Sequence, residues 1–456
     1  MKKFFNNLGR RILGGGQPDE EQSRASGSTA QPENEQTTGP TGPDLGEAGH
    51  GKVPARGEEG ETPGTWNPEQ GCLEVETKRV LELGSLSTVL IKLARGKVHV
   101  VGTDEVEQPE LTITEMVFAD SEPEASNFYQ QNGSGVGVKV DSDTLSVTEK
   151  SSSGVVSGGS GNVQIDKRSG GVVVVNSYVR GNIFNRVNGG TGGTVIINGE
   201  QTGSSQSVSR GETQVVLRVP VANEGEQSEY NSYIIRVNSG NIEVENGTGK
   251  YTISADAGDV VVEACNMVES KIENNAGKIK VAAATLNVSE IKNESGEIEV
   301  IGAKLNSCSI AGKTGKIAVT GGALDLSPIT NEDGYIEVIG ATLNSCSIAG
   351  KTKNIAVVGT TLNSCAVINE SGEIEVTDGI FISENTGKNT GKNTVKTEAG
   401  NILVGFGEDQ GEIEVKASVG GYATQKLYFE GVENPNGQTA RLILTTQDGE
   451  IKVISK

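Results

Sequence analysis

The residues from 277 to 333 read GKIKVAAATLNVSEIKNES, GEIEVIGAKLNSCSIAGKT and GKIAVTGGALDLSPITNED, three successive units of 19 residues. Each unit opens with the pattern G-x-[IV]-x-V, which recurs on both sides of this stretch. The residues that open the units are Gly240, Gly258, Gly277, Gly296, Gly315, Gly334, Lys353 and Gly372. A sequence repeat of about 20 residues, with almost no drift in length, predicts a solenoid built from one coil per repeat.

Apolar residues keep fixed places within each unit. The alternation in G-x-I-x-V puts Ile and Val on one face of a strand. A second apolar residue stands nine positions after the opening residue, as in Leu286, Leu305 and Leu343, and a third stands fourteen after it, as in Ile291 and Ile310. Stacking the coils would bury these residues as continuous ladders, so a core with few aromatic residues is sufficient.

The predicted fold is therefore all-β: a single-stranded β-solenoid of about 19-residue coils, and about eleven coils in all. Crossovers between parallel strands are right-handed in almost all proteins, and the apolar spacing lacks the six-residue steps of the left-handed alternative, so a right-handed β-helix is favoured. The regular solenoid with a C-terminal cap is expected over 236–456. The motifs at 411–415 and 449–453 are expected to continue its first strand. The region 72–235, with short alternating strands and Gly/Ser-rich loops, is expected to be irregular all-β structure leading into the solenoid.

The N-terminal residues have a different composition. Residues 17–70 contain 11 acidic residues and seven of the 12 prolines. Sparse apolar residues predict a disordered acidic linker. Residues 1–16 form a possible amphipathic leader, because a helix from Met1 to Leu13 would place Phe4, Phe5, Leu8 and Ile12 on one face. Peripheral membrane contact through this face is an alternative to a frayed terminus. The start lacks the apolar core of a conventional signal peptide, so a cytoplasmic location or non-classical export to the cell surface is expected.

Composition excludes several classes of function. The formal net charge is -21, which disfavours nucleic-acid binding. No apolar stretch is long enough for a transmembrane helix. His50 and His99 are the two histidines, too few for a multi-histidine metal site and a poor basis for a Ser-His-Asp triad. Acid pairs such as Glu373 and Glu375 are expected to point into solvent, with no raised pKa to support glycosidase chemistry. No catalytic, cofactor-binding or metal-binding residue is predicted, and the chain is not expected to be an enzyme.

Three rows of equivalent residues suggest structural roles. Lys278, Glu297 and Lys316, and likewise Lys280 and Glu299, are expected to alternate in charge along neighbouring coils. A row of Asn and Asp is expected to stack by side-chain hydrogen bonds; its members are Asn287, Asn306, Asp325, Asn344 and Asn363. Cys308, Cys346 and Cys365 share one coil position, which Ser289 and Ser327 take in other coils. Cys346 and Cys365 lie on adjacent coils, within disulfide range, although reduced packing thiols fit the exchange with serine better.

The residues 217–244, LRVPVANEGEQSEYNSYIIRVNSGNIEV, resemble the core signature of the bacterial putative-adhesin family of β-solenoid domains. Those domains run a V-P strand into a strand ending in S-G-[DN]-I-x-V, and further such coils follow. GKVHVVGTDEVEQPELTI at 96–113 and ARLILTTQDGEIKV at 440–453 resemble the family's opening strands and last coil. The resemblance covers about 73–456, implies a β-solenoid fold and presumed surface adhesion, and brings no catalytic residues.

Three functions follow from this pattern. The first is a non-catalytic, adhesin-like protein that presents a long β surface to a glycan or protein partner. The second is a structural or polymerising β-helical scaffold in which coil ends stack. The third, least favoured, is a polysaccharide lyase or hydrolase. The sequence leaves the partner and the oligomeric state open.

Overall fold

The protein is represented by a computed structural model that describes residues 64–81, 87–141, 143–150, 173–175, 195–197, 208–221, 231–383, 385–386, 389–420, 425–429 and 439–454. These residues belong to one compact unit, Glu59–Lys456. The predicted leader at 1–16 lies outside the described residues, and so does the predicted linker up to residue 63. Apart from one helix, the secondary structure of the described residues is β-strand.

The N-terminal part combines strands with that helix. Its elements are β1 (Thr65–Asn67), β2 (Cys72–Val80), β3 (Thr88–Thr103), β4 (Glu110–Phe118), α1 (Glu122–Asn132), β5 (Val136–Asp141), β6 (Thr144–Glu149), β7 (Val173–Val175), β8 (Val195–Ile197), β9 (Ser209–Pro220) and β10 (Ser232–Ser239). Strands β1, β2, β4 and β9 pair antiparallel in that order. Strand β9 then pairs in parallel with β3.

From β3 onward the strands stack in parallel on three faces. The first face follows the opening glycines and comprises β11 (Ile242–Glu245), β13 (Val260–Glu263), β16 (Ile279–Ala282), β19 (Ile298–Ile301), β22 (Ile317–Thr320), β25 (Ile336–Ile339), β28 (Ile355–Val358), β31 (Ile374–Ile382), β35 (Ile402–Phe406) and β39 (Ile451–Ile454). The second face comprises β14 (Asn266–Val268), β17 (Thr285–Asn287), β20 (Lys304–Asn306), β23 (Ala323–Asp325), β26 (Thr342–Asn344) and β29 (Thr361–Asn363), and the end of β31 extends it.

The third face completes each coil. It comprises β12 (Thr248–Ala257), β15 (Lys271–Ala276), β18 (Glu290–Asn293), β21 (Ser309–Gly312), β24 (Ile329–Asn331), β27 (Ser347–Gly350), β30 (Ala366–Asn369), β34 (Asn393–Ala399) and β38 (Ala440–Asp448). Antiparallel hairpins close both ends of this face. They are β5 with β6, and β36 (Ile413–Val419) with β37 (Gln425–Phe429). The two remaining strands, β32 (Asn385–Thr386) and β33 (Asn389–Thr390), form a separate hairpin.

The strand pairing confirms the predicted 19-residue register. Ile279 lies opposite Ile298, and Ile298 lies opposite Ile317, all in parallel strands. These three side chains are 0% exposed. The ladders that begin with them merge into one continuous hydrophobic core that extends from β3 to β38. Each ladder places like side chains on top of one another, so the core gains burial with every coil added.

Two corners of each coil adopt the left-handed backbone conformation. The positive-φ row six residues after the opening position includes Ala283, Gly302 and Gly340, and the row eleven residues after it includes Val288 and Ser307. The opening position favours glycine for a different reason, because the backbones of successive opening glycines are in contact and leave no room for a Cβ. A Cβ at Gly296 would collide with the carbonyl oxygen of Gly277.

The region 72–235 was predicted to be irregular all-β structure that leads into the solenoid, but part of it belongs to the stack itself. Strand β3 pairs in parallel with β10 and β11, and Val98 lies opposite Ile242. Gly96 takes the place of an opening glycine, since a Cβ at Gly240 would collide with its carbonyl oxygen. Residues 97–239 separate these two glycines in the sequence, and most of them belong to a long insertion between β3 and β10. Because of this insertion, the coil that begins at Gly96 does not fit the 19-residue interval and is identified only by the pairing of β3 with β10 and β11.

Two further boundaries differ from the prediction. Strand β1 lies inside the predicted linker 17–70, and Trp66 packs against the small cluster that contains Leu73 and Val75. The described structure therefore begins at residue 64, inside the predicted linker. At the other end, the motif at 411–415 contributes β36 to the third face, whereas β39 pairs directly with β35 on the first face. Alternation of apolar and polar residues occurs in strands on every face of the coil, so the motif alone could not assign this strand to one face.

Candidate binding surfaces

The first face carries the predicted charged rows on its outer side. Lys278 Nζ lies 2.7 Å from a Glu299 carboxylate oxygen and 3.7 Å from one of Glu297. The hydrogen bond to Glu299 raises the pKa of Lys278. Glu299 thus pairs diagonally, rather than with Lys280 directly opposite it in the register. These pairs are partly exposed, so each stabilises the fold only slightly.

The second face presents uncharged hydrogen-bonding groups. The sequence Thr-Leu-Asn forms β17, β26 and β29, with the Leu buried and the Thr on the outer side; the Asn is partly exposed in β17 and β26 and buried in β29. Lys304 and Asp325 interrupt this pattern on the two strands between β17 and β26. Of the five strands from β17 to β29, three therefore offer a hydroxyl group at an outer position, and two of these also offer an amide, without formal charge.

The Asn row is less continuous than predicted. Its members do lie opposite one another in the register. Asn363 Nδ2 donates to Asn344 Oδ1 at 3.4 Å, but Asn306 Oδ1 accepts from the Ser307 hydroxyl at 3.3 Å. Asn306 is exposed. Amides in this row are therefore only partly used for stacking, and several face outward where a ligand would meet them.

The third face changes character along the stack. Its early coils carry charged pairs, such as Lys271 with Glu273 at 2.8 Å and Lys292 with Glu294 at 2.6 Å. Four later coils replace these charges by small or uncharged residues at the outer positions, which are Ser309, Ala311, Pro328, Thr330, Ser347, Ala349, Ala366 and Ile368. An open groove of about 430 Å³ runs along the corner between the second and third faces, past Glu269, Val288 and Pro328.

The cysteine position is a structural one. Cys308, Cys346 and Cys365 are buried free thiols, as are Cys72 and Cys265. Cys308 Sγ donates to the carbonyl oxygen of Leu286 at 3.2 Å, and Ser327 Oγ makes the equivalent bond to Leu305 at 3.3 Å. Thiol and hydroxyl therefore fill the same place, which explains their exchange. Burial raises the pKa of Cys308 and brings that of Cys265 to about 11.

A buried row of Asn at the third corner was not predicted from the sequence. Asn331 is 3% exposed, and its Nδ2 donates to Gly315 O at 2.8 Å while its Oδ1 accepts from Gly334 N at 3.3 Å. Asn293 makes the same two bonds, to Gly277 O and from Gly296 N, and so also joins the opening residues of two successive coils. Asn274 and Asn369 occupy the same position and donate to Gly258 O and Lys353 O, but their Oδ1 atoms have no hydrogen-bond partner among the described residues. On the two coils between Asn293 and Asn369 that lack it, Gly312 and Gly350 leave room for a neighbouring amide. The sequence pattern that could have predicted this row is an Asn three residues before the opening glycine.

The fold also assembles a group that the sequence did not predict. His99 of β3 lies directly opposite Glu243 of β11, and Glu245 follows on the same outer side. One nitrogen or oxygen atom from each of the three residues lies within 4.8 Å of the others. The acids Glu373 and Glu375, by contrast, are exposed on the first face as predicted. No helix among the described residues is long and apolar enough to cross a membrane.

Comparison with known proteins gives one distant structural likeness. No protein-family model matches the chain, and no curated protein matches it. The chain is similar to a solved structure described as a "putative cell adhesion protein" from Clostridium sporogenes ATCC 15579, with 11% sequence identity and a TM-score of 0.18. The likeness covers 84% of this chain and 100% of the other.

Proposed function

We propose that this chain is a right-handed β-solenoid that acts as a non-catalytic, adhesin-like binding protein and presents a long β surface to a partner outside it. The resemblance to the putative-adhesin family supports this class. The fold supplies a rigid array with the spacing of parallel strands, about 4.8 Å from coil to coil. Such an array suits a partner that is extended and repetitive.

The observation that carries the proposal is the chemistry of the second face. Thr stands at equivalent outer positions on β17, β26 and β29, and partly exposed Asn residues, Asn287 and Asn344, stand beside it on β17 and β26. Hydroxyls and amides both donate and accept hydrogen bonds, which is the chemistry that sugar hydroxyls require. The same chemistry serves polar protein surfaces, but its regular spacing favours a glycan chain.

The proposal is tested by glycan-array binding with two matched arginine variants. Thr342→Arg places a long charged side chain in the middle of the second face, whereas Glu375→Arg makes a similar change on the exposed first face. We expect Thr342→Arg to weaken the binding of a captured glycan at least tenfold and Glu375→Arg to leave it within twofold. No bound glycan at all, or equal loss in both variants, would contradict the proposal.

The second candidate is the polymerising scaffold, which one feature of β39 favours. In β35 the inward residues Ile402 and Val404 are 1% and 0% exposed, whereas their neighbours Ile451 and Val453 in β39 are only partly buried. A further chain would complete their burial. Sedimentation velocity at increasing concentration decides: growth into large assemblies supports the scaffold, and a constant monomer rejects it.

A further inference from the structure

The group of His99, Glu243 and Glu245 has the composition of a metal site. Imidazole nitrogen and carboxylate oxygen are both common ligands of zinc and related divalent ions. The three side chains leave one face of one sheet, on two adjacent strands held by parallel pairing. Their positions are therefore fixed by rigid backbone rather than by a loop.

The distance between His99 and Glu245 fits shared coordination better than a direct bond. His99 Nε2 lies 3.6 Å from Glu245 Oε2, which is longer than a hydrogen bond of about 3.2 Å at most. Two ligands at about 2.0–2.2 Å from one tetrahedral zinc ion would lie about 3.4 Å apart. Small side-chain rotations would bring the Glu243 carboxylate to a third vertex.

The imidazole is also incompletely satisfied. His99 Nε2 is shielded from solvent and has no hydrogen-bond partner. A buried polar nitrogen in this state costs free energy that a bound ion would recover. This observation concerns the ligand atom itself.

The local charge points in the same direction. Glu245 lies directly opposite Glu263 on the next coil, a like-charge pair that opposes stacking. Within the described part of the chain, neither Glu243 nor Glu263 takes part in an ion pair with Lys or Arg. Further along this face, Lys278 offsets Glu297 and Glu299. A divalent cation would supply the missing positive charge at this end of the stack.

We propose that His99, Glu243 and Glu245 bind one divalent transition-metal ion of the zinc type. Three protein ligands leave a fourth position open, as in zinc sites that retain a water or accept an outside donor. The site lies on the outer surface of the first face. A carboxylate or imidazole of a partner molecule fits the open position, so the ion would add a metal-dependent contact that is separate from the second face.

The test uses the fact that the chain has only two histidines. In the full-length His50→Gln variant, all imidazole NMR signals come from His99. Titration with Zn²⁺ should bind one equivalent by calorimetry and shift the His99 ring nitrogen signals to metal-bound values. Mg²⁺, which prefers oxygen ligands alone, should leave them unchanged. This readout needs no substitution within the site.

Variants of the site then identify the carboxylates. Glu245→Gln, in the His50→Gln background, should weaken Zn²⁺ binding at least tenfold, and Glu375→Gln on the same face should leave it within twofold. If Zn²⁺ leaves the His99 signals unchanged, or if Glu245→Gln binds as tightly as the control, the proposal is wrong. A shift of equal size with Mg²⁺ would also overturn it, because it would indicate nonspecific attraction to the acidic surface.

Discussion

The coils from 258 to 371 and the antiparallel N-terminal end stabilise themselves in different ways. In the coils, buried Ile, Val and Leu repeat at fixed positions, and each coil contacts the next through the same ladders. At the N-terminal end, β1, β2, β4 and α1 surround a small cluster of Leu73, Val75, Val117 and Ala125. Stability in the coils is therefore distributed over many equivalent contacts, whereas the end depends on a few particular ones.

One buried acid illustrates this dependence. Glu115 is 5% exposed, and it accepts hydrogen bonds from Arg210 at 3.1 Å, from the Tyr129 hydroxyl at 3.2 Å and from the Gly135 backbone. Burial, together with the Glu115 charge, raises the pKa of Tyr129 to about 12. A single side chain thus connects β4, β9, α1 and the residues before β5. The coils have no comparable hub among their described residues, and their buried polar groups are instead uncharged Ser, Thr and Asn side chains at repeated positions.

The largest effect is expected from deletions that test the repeat. Removing Leu305 to Thr314, about half a coil, breaks every ladder at the junction and should prevent folding of the stack. Removing 296–333 takes out two whole coils and joins Ser295 to Gly334 in register, so it should leave a folded protein that is shorter by about 10 Å. Circular dichroism and small-angle scattering measure both. If the half-coil deletion folds and the two-coil deletion does not, stability is not distributed over equivalent coils.

Ile317→Asp tests a single ladder. The side chain is 0% exposed, so the variant buries an unpaired charge and should lower the free energy of unfolding by about 5 kcal/mol or more. The control is Glu299→Ala on the outer side of the preceding coil, which should cost under about 1 kcal/mol. Thermal melts of the two variants should differ clearly; similar melts would show that the inward and outward assignment is wrong.

Glu115→Ala tests the N-terminal hub. Removing the carboxylate leaves Arg210 and the Tyr129 hydroxyl without their partner and should cost about 3 kcal/mol. The matched control is Glu110→Ala. The Glu110 side chain is 43% exposed and its carboxylate lies 3.9 Å from Arg218, so the variant should cost under about 0.5 kcal/mol. Hydrogen exchange should accelerate in β2, β4 and α1 and remain slow in β19 to β28. Uniform acceleration along the whole chain would show that the two regions are not independent.

Asn331→Ala tests the repeated corner amide. The variant leaves the backbone oxygen of Gly315 and the backbone nitrogen of Gly334 without their side-chain partner, at a cost of about 2 kcal/mol. Asn306→Ala is the control, because that amide is exposed on the second face and should matter by less than about 0.5 kcal/mol. Chemical denaturation measures both. Equal effects would mean that the corner bonds contribute nothing beyond those of a surface amide.

The smallest expected change is an increase in stability. Val288 has φ 50° and is 61% exposed, so a β-branched residue is strained there without burying surface in return. Val288→Asn should stabilise the protein by about 1 kcal/mol, because Asn tolerates the left-handed conformation. Val358→Asn, in the regular strand β28, should instead destabilise slightly. A lower melting temperature for Val288→Asn would refute the strain argument.

The coils could be predicted from the sequence because the interactions that form them are local and repeat from coil to coil. Alternation in Gly-x-Ile-x-Val fixes which side chains point inward, and the constant 19-residue interval fixes which residue lies opposite which. Leu305 and Ile310 were therefore assigned to the core from the sequence alone, and both are buried. The corner row of Asn293 and Asn331 keeps the same register but is interrupted by Gly312 and Gly350. An Asn in a turn also has many uses, so its contacts required coordinates.

The amino-acid sequence by itself determined the repeat, its register and the inward ladders, since each depends on neighbours at a constant interval. Only the tertiary structure decided what lies outside that interval. The long insertion after β3 separates Gly96 from Gly240, yet parallel pairing brings His99 beside Glu243. The order of β36 and β38 at the other end is likewise a choice among faces that the same alternating pattern fits equally. Contacts of this kind join residues that are far apart in the sequence, and a local repeat of 19 residues does not specify which distant strands pair.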